Sequence, residues 1–159
     1  MERKINLFDK IGNLIPGYKG YVIRDEKRNT DKKFRDELVS RLNQSEEFII
    51  RYQKELVTSD DVTNLILWEQ SRKALNTIST KIKHSTYGES SFFGEKQLKE
   101  DELDAIYNID LELTEKVSLI VKTILSDIAE PLSAGIVLNQ IFDIEQILLK
   151  RTNFINEYK

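Results

Sequence analysis

Apolar residues recur every three or four positions at Leu103, Ile106, Leu113, Val117, Ile120, Ile124 and Ile128, with a single carboxylate, Asp110, set in the same series. That spacing draws one stripe down the side of a long helix and predicts helix over Asp101–Ile128. A stripe of this length is unstable alone in water, so the rest of the chain must cover it. Four other segments carry a matching pattern. Leu7, Phe8, Ile11, Leu14 and Ile15 predict a short amphipathic helix over Ile5–Ile15, stopped by Pro16-Gly17. Phe34, Leu38, Leu42, Ile49, Tyr52 and Leu56 give the inward face of a helix over Arg24–Val57. Val62, Leu65, Trp68, Leu75 and Ile82, with Arg72 and Ser79 in the same seam, give that of a helix over Asp61–Lys83, for which Ser59 or Asp60 is the expected N-cap. Ala129-Glu130-Pro131 then breaks the pattern. A last helix starts at Leu132-Ser133, faced by Ile136, Val137, Ile141, Ile144, Leu148 and Phe154, with Asp143, Glu145, Lys150 and Arg151 assigned to its wet sides.

The predicted fold is therefore all-α: an antiparallel four-helix bundle forming a single domain over 1–159, with a short N-terminal amphipathic helix and an ordered loop between the second and third bundle helices. Length supports this reading, since 159 residues with 40% hydrophobic positions, six Gly and two Pro suffice for one continuous core. The 32% charged fraction and net charge of -3 describe a mildly acidic chain, unlike a bulk nucleic-acid binder. No apolar run reaches the ~20 residues of a membrane span, and the N-terminus lacks a secretory pattern, so the expected location is cytoplasmic. With no cysteine, disulfides, thiolate metal sites and thiol catalysis are excluded.

Two stretches depart from plain helix chemistry. Ile15-Pro16-Gly17-Tyr18-Lys19-Gly20-Tyr21 places two glycines among two aromatics, a shaped loop that matches no phosphate-binding or dinucleotide motif. A clasp over the bundle end, with Tyr18 and Tyr21 burying their rings, is the first reading; a groove bordered by those tyrosines is the second. The linker from His84 to Glu95 is rich in Ser, Gly and aromatics and is long for a helical turn. His84 is the sole histidine. It has Ser85, Ser90 and Ser91 nearby in sequence, and a nucleophile would still need a base and a third orienting group.

Charge adds one local anomaly. From Lys19 to Arg35 there are seven Lys or Arg against three acids, and Arg24, Arg28, Lys32 and Arg35 follow helical steps that would form a positive stripe. Together with Tyr18 and Tyr21 these are the candidate binding residues, for a protein partner or an anionic membrane surface before nucleic acid. Asp110 is the other anomaly, because a carboxylate on a core face needs a partner. Arg72, which interrupts the seam of the neighbouring helix, is the expected ion-pair partner, with Tyr or Lys from the glycine-rich segments as further candidates. Metal chemistry finds no support: there is no Glu-x-x-His, HExxH or calcium loop, and no cofactor is expected.

Ile15-Pro16-Gly17-Tyr18-Lys19-Gly20-Tyr21 followed by Glu26-Lys27-Arg28 and Asp31-Lys32, and Phe92-Phe93-Gly94 followed by Glu102-Leu103-Asp104 and Tyr107-Asn108-Ile109-Asp110-Leu111, resemble an uncharacterised family of bacterial helical proteins. The resemblance implies a helical fold and carries no activity, cofactor or catalytic residue. The sequence identifies no reaction. Its leading functional reading is a non-enzymatic interaction or regulatory protein acting through the basic N-terminal region, peripheral to a membrane if the partner is lipid. The alternatives are a small hydrolase or isomerase using His84 or Asp110 at a bundle-end pocket, and a structural assembly component, a homo-oligomer among them.

Overall fold

The computed structural model describes residues 2–85, 87 and 90–158, excepting the side chains of residues 2–6; Thr86, Gly88 and Glu89 of the linker, and the Ile5 side chain, fall outside the described set. The chain forms α1 (Glu2–Leu14), α2 (Lys27–Thr58), α3 (Val62–Lys83), α4 (Glu100–Asp127) and α5 (Ser133–Glu157), with short 3₁₀ turns at Arg24–Glu26 and Ser91–Phe93. It is an all-α protein in which a short N-terminal helix packs against a four-helix bundle.

The caps follow the local chemistry. Asp61 caps α3, its carboxylate accepting the Asn64 amide at 3.3 Å, while Asp60 before it takes a left-handed backbone with φ of 60°. The cap thus falls on Asp61 instead of Ser59 or Asp60. At the start of α4 the Glu102 side chain accepts the Lys99 amide at 2.7 Å, and three acids occupy the first turn, where they complement the helix dipole.

The four bundle helices, α2 to α5, alternate in direction along the chain, but their order around the bundle is α2, α3, α5, α4. Ser79 bonds Asn43 across the antiparallel α2/α3 hairpin, and Gln140 bonds Thr123 across the antiparallel α4/α5 hairpin. The hairpins lie side by side with parallel neighbours, since Ser71 meets Ala134 and Lys81 meets Glu145 along α3 and α5. α3 and α4 are therefore diagonal, and the described part of the connection between them, Tyr87 and residues 90–99, reaches Arg151 and Ile155 of α5 and Lys27 of α2 at one end of the bundle. α1 packs on α4.

Leu113, Val117, Ile120 and Ile124 of α4 are fully buried, as are Phe34, Leu38, Leu42 and Ile49 of α2. The inward faces expected from spacing differ at Val62 and Ile136, which are about half exposed near the far end of the bundle. There the helices are starting and no fifth element covers them. Among the described residues, no helix is long and apolar enough to cross a membrane.

Truncating Leu113 to Ala should destabilise the protein by about 2–5 kcal/mol in urea unfolding, because the cavity lies in a closed interior. Leu132, 78% exposed, should tolerate Ala within about 0.5 kcal/mol. Equal costs would contradict this placement of the core.

Candidate functional site

One end of the bundle holds a buried ionic cluster built from five parts of the chain. Asp31 lies on the same face of α2 as Phe34 and Leu38, Asp110 interrupts the apolar stripe of α4, and Arg151 occupies the α5 face between Leu148 and Ile155. All three are at most 3% exposed. Arg151 donates from Nε to Asp110 at 2.8 Å, from one terminal nitrogen to Asp31 at 2.7 Å and to the Tyr87 hydroxyl at 2.8 Å, and from the other to the Tyr21 hydroxyl at 2.8 Å. Its guanidinium also lies 5.1 Å from the centroid of the Phe34 ring. The second oxygen of Asp110 accepts the hydroxyls of Tyr18 at 2.8 Å and Tyr21 at 2.7 Å. Arg35 completes the alternation of charge, donating to Asp31 at 3.0 Å and to the Lys83 carbonyl at the end of α3 at 2.7 Å.

Two guanidinium groups and two carboxylates thus sum to zero. Burial alone would lower the Arg151 pKa, yet Asp110, Tyr21, Asp31 and Tyr87 outweigh it and hold the cation well above its ordinary range. Tyr18 and Tyr21 are pushed well above 10, first by burial and then by the adjacent Asp110 charge. Both stay protonated and donate. Asp110 has both oxygens taken by internal donors, which leaves it closed to a substrate proton.

The two unusual stretches of the sequence are the covers of this cluster. Gly17 and Gly20 both have positive φ, which turns the chain so that Tyr18 and Tyr21 point inward. A Cβ at Gly20 would sit 2.5 Å from the Tyr107 hydroxyl and 2.8 Å from the Phe8 ring, so the backbone passes where no side chain fits. That hydroxyl accepts the Tyr21 amide at 3.1 Å. From the other side Phe92 sets its ring 5.4 Å from Tyr21, and the buried Lys27 ammonium donates to the Phe92 and Lys96 carbonyls at 2.8 and 3.0 Å. Burial first and nearby Arg24 second lower the Lys27 pKa, and the Glu102 carboxylate offsets them only in part. Ser90 bonds the Ile155 carbonyl, tying the same segment to α5.

The residues singled out in the sequence distribute as follows. Tyr18 and Tyr21 lie inside, as the clasp reading had them, and Arg35 is engaged with Asp31 and the end of α3. Arg24, Arg28 and Lys32 are exposed. Arg24 bonds the Glu95 carbonyl at 3.2 Å, Arg28 stacks 4.8 Å from the Phe93 ring centroid, and Lys32 pairs with Asp36 at 2.8 Å.

The expected Arg72–Asp110 pair does not form. Arg72 binds Glu69 at 2.7 Å and Glu46 at 3.1 Å, and its hydrogen bonds together with that from Gln53 hold the Glu69 carboxyl down at about 2. Two geometric reasons separate the pair. α3 and α4 are diagonal, and α4 begins well beyond the end of α3. Asp110 is level with that end through Arg151, Asp31 and Arg35, whereas Arg72 lies eleven residues, about 16 Å, further along α3. His84 is exposed at the C-cap of α3, and its backbone amide bonds the Thr80 carbonyl.

Asp31, Tyr87, Tyr107, Lys27 and Arg151 were not singled out as site residues by sequence reasoning. Arg151, expected on a wet side of the last helix, is instead fully buried; a signal for this existed in its place three residues after Leu148 and four before Ile155, as it did for Lys27 and Asp31, which precede Phe34 at helical steps. Tyr87 and Tyr107 had no such marker.

Outside the cluster, the described surface has an open groove of about 620 Å³ between α4 and α5, lined by Ala105, Asn108, Ile109, Leu149, Asn153 and Phe154 among others. It shares no residue with the cluster. No group of acidic or histidine residues suited to a metal ion occurs among the described residues. Comparison of the chain with protein-family models, with curated proteins and with solved structures finds no match.

Replacing Arg151 with Met should destabilise the fold by about 3–5 kcal/mol, because Asp31 and Asp110 would lose their shared buried cation. Tyr21→Phe should cost less, about 1–3 kcal/mol, measured in the same urea titration. An Arg151→Met protein as stable as the parent would refute the cluster.

The contribution of Tyr18 and Tyr21 to stability should be constant in pH below about 10 and be lost as pH rises above it. The unfolded tyrosines release protons there while folded Tyr18 and Tyr21 keep theirs, so the unfolded state gains. Tyr18→Phe should flatten that alkaline decline in unfolding curves taken at successive pH values. An unchanged slope would contradict the assignment.

Proposed function

We propose that the protein is a non-enzymatic interaction module that meets an anionic partner surface through the exposed cations at the braced end of its bundle. Arg24, Arg28 and Lys32 are the core of that surface, with Lys19 and Lys33 beside them in the chain. One observation carries the reading. Of the charged groups between Lys19 and Arg35, Lys27, Asp31 and Arg35 are engaged internally, which leaves five exposed cations against the two acids Asp25 and Glu26 and against Asp36 just beyond, which pairs with Lys32.

The cluster beneath supports it further. Arg24 and Arg28 are held against the 91–96 segment, which Lys27 and Ser90 fasten to the bundle, so the positive groups need little ordering on contact. The cytoplasm, or the cytoplasmic side of a membrane, is the location that fits this role. Catalysis at Asp110 has less to rest on, since that carboxylate is fully bonded and closed off.

Cation-exchange chromatography at pH 7 tests the surface directly. The parent should be retained despite its negative net charge, and Arg24→Gln/Arg28→Gln/Lys32→Gln should elute at clearly lower salt than a control neutralised at Lys54, Lys73 and Lys122. Equal elution of the two triple variants would reject the proposed surface.

A further inference from the structure

We infer that the anionic partner is a lipid bilayer, and that Val22 and Ile23 form a tip that enters its headgroup region while the flanking cations hold the lipid phosphates. The inference rests on the proposed function and adds the class of partner to it.

Its starting point is a pair of aliphatic side chains in an unexpected place. Val22 and Ile23 are 47% and 58% exposed, although they directly follow Tyr21, which is completely buried. Both sides of this tip are fixed. Before it, the Tyr21 amide bonds Tyr107 and the Tyr21 hydroxyl bonds Asp110 and Arg151. After it, the Ile23 carbonyl accepts the Glu26 amide at 3.1 Å, which closes the 3₁₀ turn. The two side chains are thus displayed by an anchored loop. Single exposed aliphatic residues are ordinary, but two adjacent ones on a short fixed loop are set apart by what surrounds them.

The neighbouring charges select the partner. Lys19 precedes the tip, Arg24 follows it at once, and Arg28 lies one helical turn further on, all exposed. A bilayer with anionic headgroups offers the two complementary layers, phosphates for the cations and, just beneath, an apolar region for the aliphatic side chains. A nucleic acid backbone would satisfy the cations and leave Val22 and Ile23 in water. The apolar contact is small and the cations are few, so binding should be weak, reversible and dependent on anionic lipid.

Flotation of the full chain with vesicles tests this, comparing phosphatidylcholine alone with a mixture holding about one third phosphatidylserine. The parent should bind only the mixture. Arg24→Gln/Arg28→Gln should weaken that binding about 25-fold, roughly fivefold for each cation. Val22→Ser/Ile23→Ser should weaken it about tenfold with the charges untouched. A control pair, Val57→Ser/Val62→Ser, removes aliphatic side chains that are 63% and 55% exposed at the other end of the bundle and should bind like the parent.

If the charge pair abolishes binding while the Val22/Ile23 pair binds like the parent, or if binding is equal on both vesicles, the insertion is overturned. If no vesicle binds while the cation-exchange behaviour still depends on Arg24, Arg28 and Lys32, lipid is overturned as the partner and the anionic-surface reading survives. Circular dichroism matching the parent shows that each variant is folded.

Discussion

The contact between Arg151 and its two carboxylates is the constraint around which this end of the molecule is arranged. A guanidinium with no exposed surface is tolerable only if its donors are matched, and here Asp31, Asp110, Tyr21 and Tyr87 do so from α2, α4 and two separate connecting segments. Each partner fixes a different piece of chain. The apolar interior below could accommodate small slips of one helix along another, but directional bonds to a planar cation define one register. Specificity of arrangement, more than net stabilisation, is the reasonable role for such a cluster.

From that constraint follows the shape of the covers. The segment carrying Tyr18 and Tyr21 can reach Asp110 because Gly17 and Gly20 turn the backbone inward, and at Gly20 the Tyr107 hydroxyl already fills the space of a Cβ. The segment between α3 and α4 is held by carbonyls on the Lys27 ammonium and by Ser90 on α5. An inward network therefore determines an outward surface. With their aromatic neighbours buried, Val22, Ile23, Arg24 and Arg28 are what remains for solvent or a partner to meet.

Periodicity made the helices legible, since burying one stripe per helix is a local rule that the spacing of Leu113, Val117, Ile120 and Ile124 obeys visibly. Asp110 was equally visible as a polar break in that stripe. Its tyrosine partners were among the candidates, as donors from a glycine-rich stretch, but its cationic partner was not, because pairing depends on which helices are neighbours and how far each projects, and those follow from the long connection between α3 and α4. An equal count of residues from a turn would place Arg72 opposite Asp110 only if α3 and α4 formed a hairpin. Arg151 carried a fainter mark, an apolar spacing shared with Leu148 and Ile155, which its charge concealed. The basic segment divided on folding: composition treats Lys27, Arg28 and Arg35 alike, and only tertiary placement turns Lys27 and Arg35 inward while leaving Arg28 outside.

Tyr21 and Asp31 meet Arg151 across 130 and 120 positions of chain. During synthesis the first two leave the ribosome well before the third, so the lock can close only once α5 has been made. Until then the loop with the aliphatic tip has no fixed anchor on the guanidinium. The loop that displays Val22 and Ile23 therefore waits for α5 before its anchoring is complete.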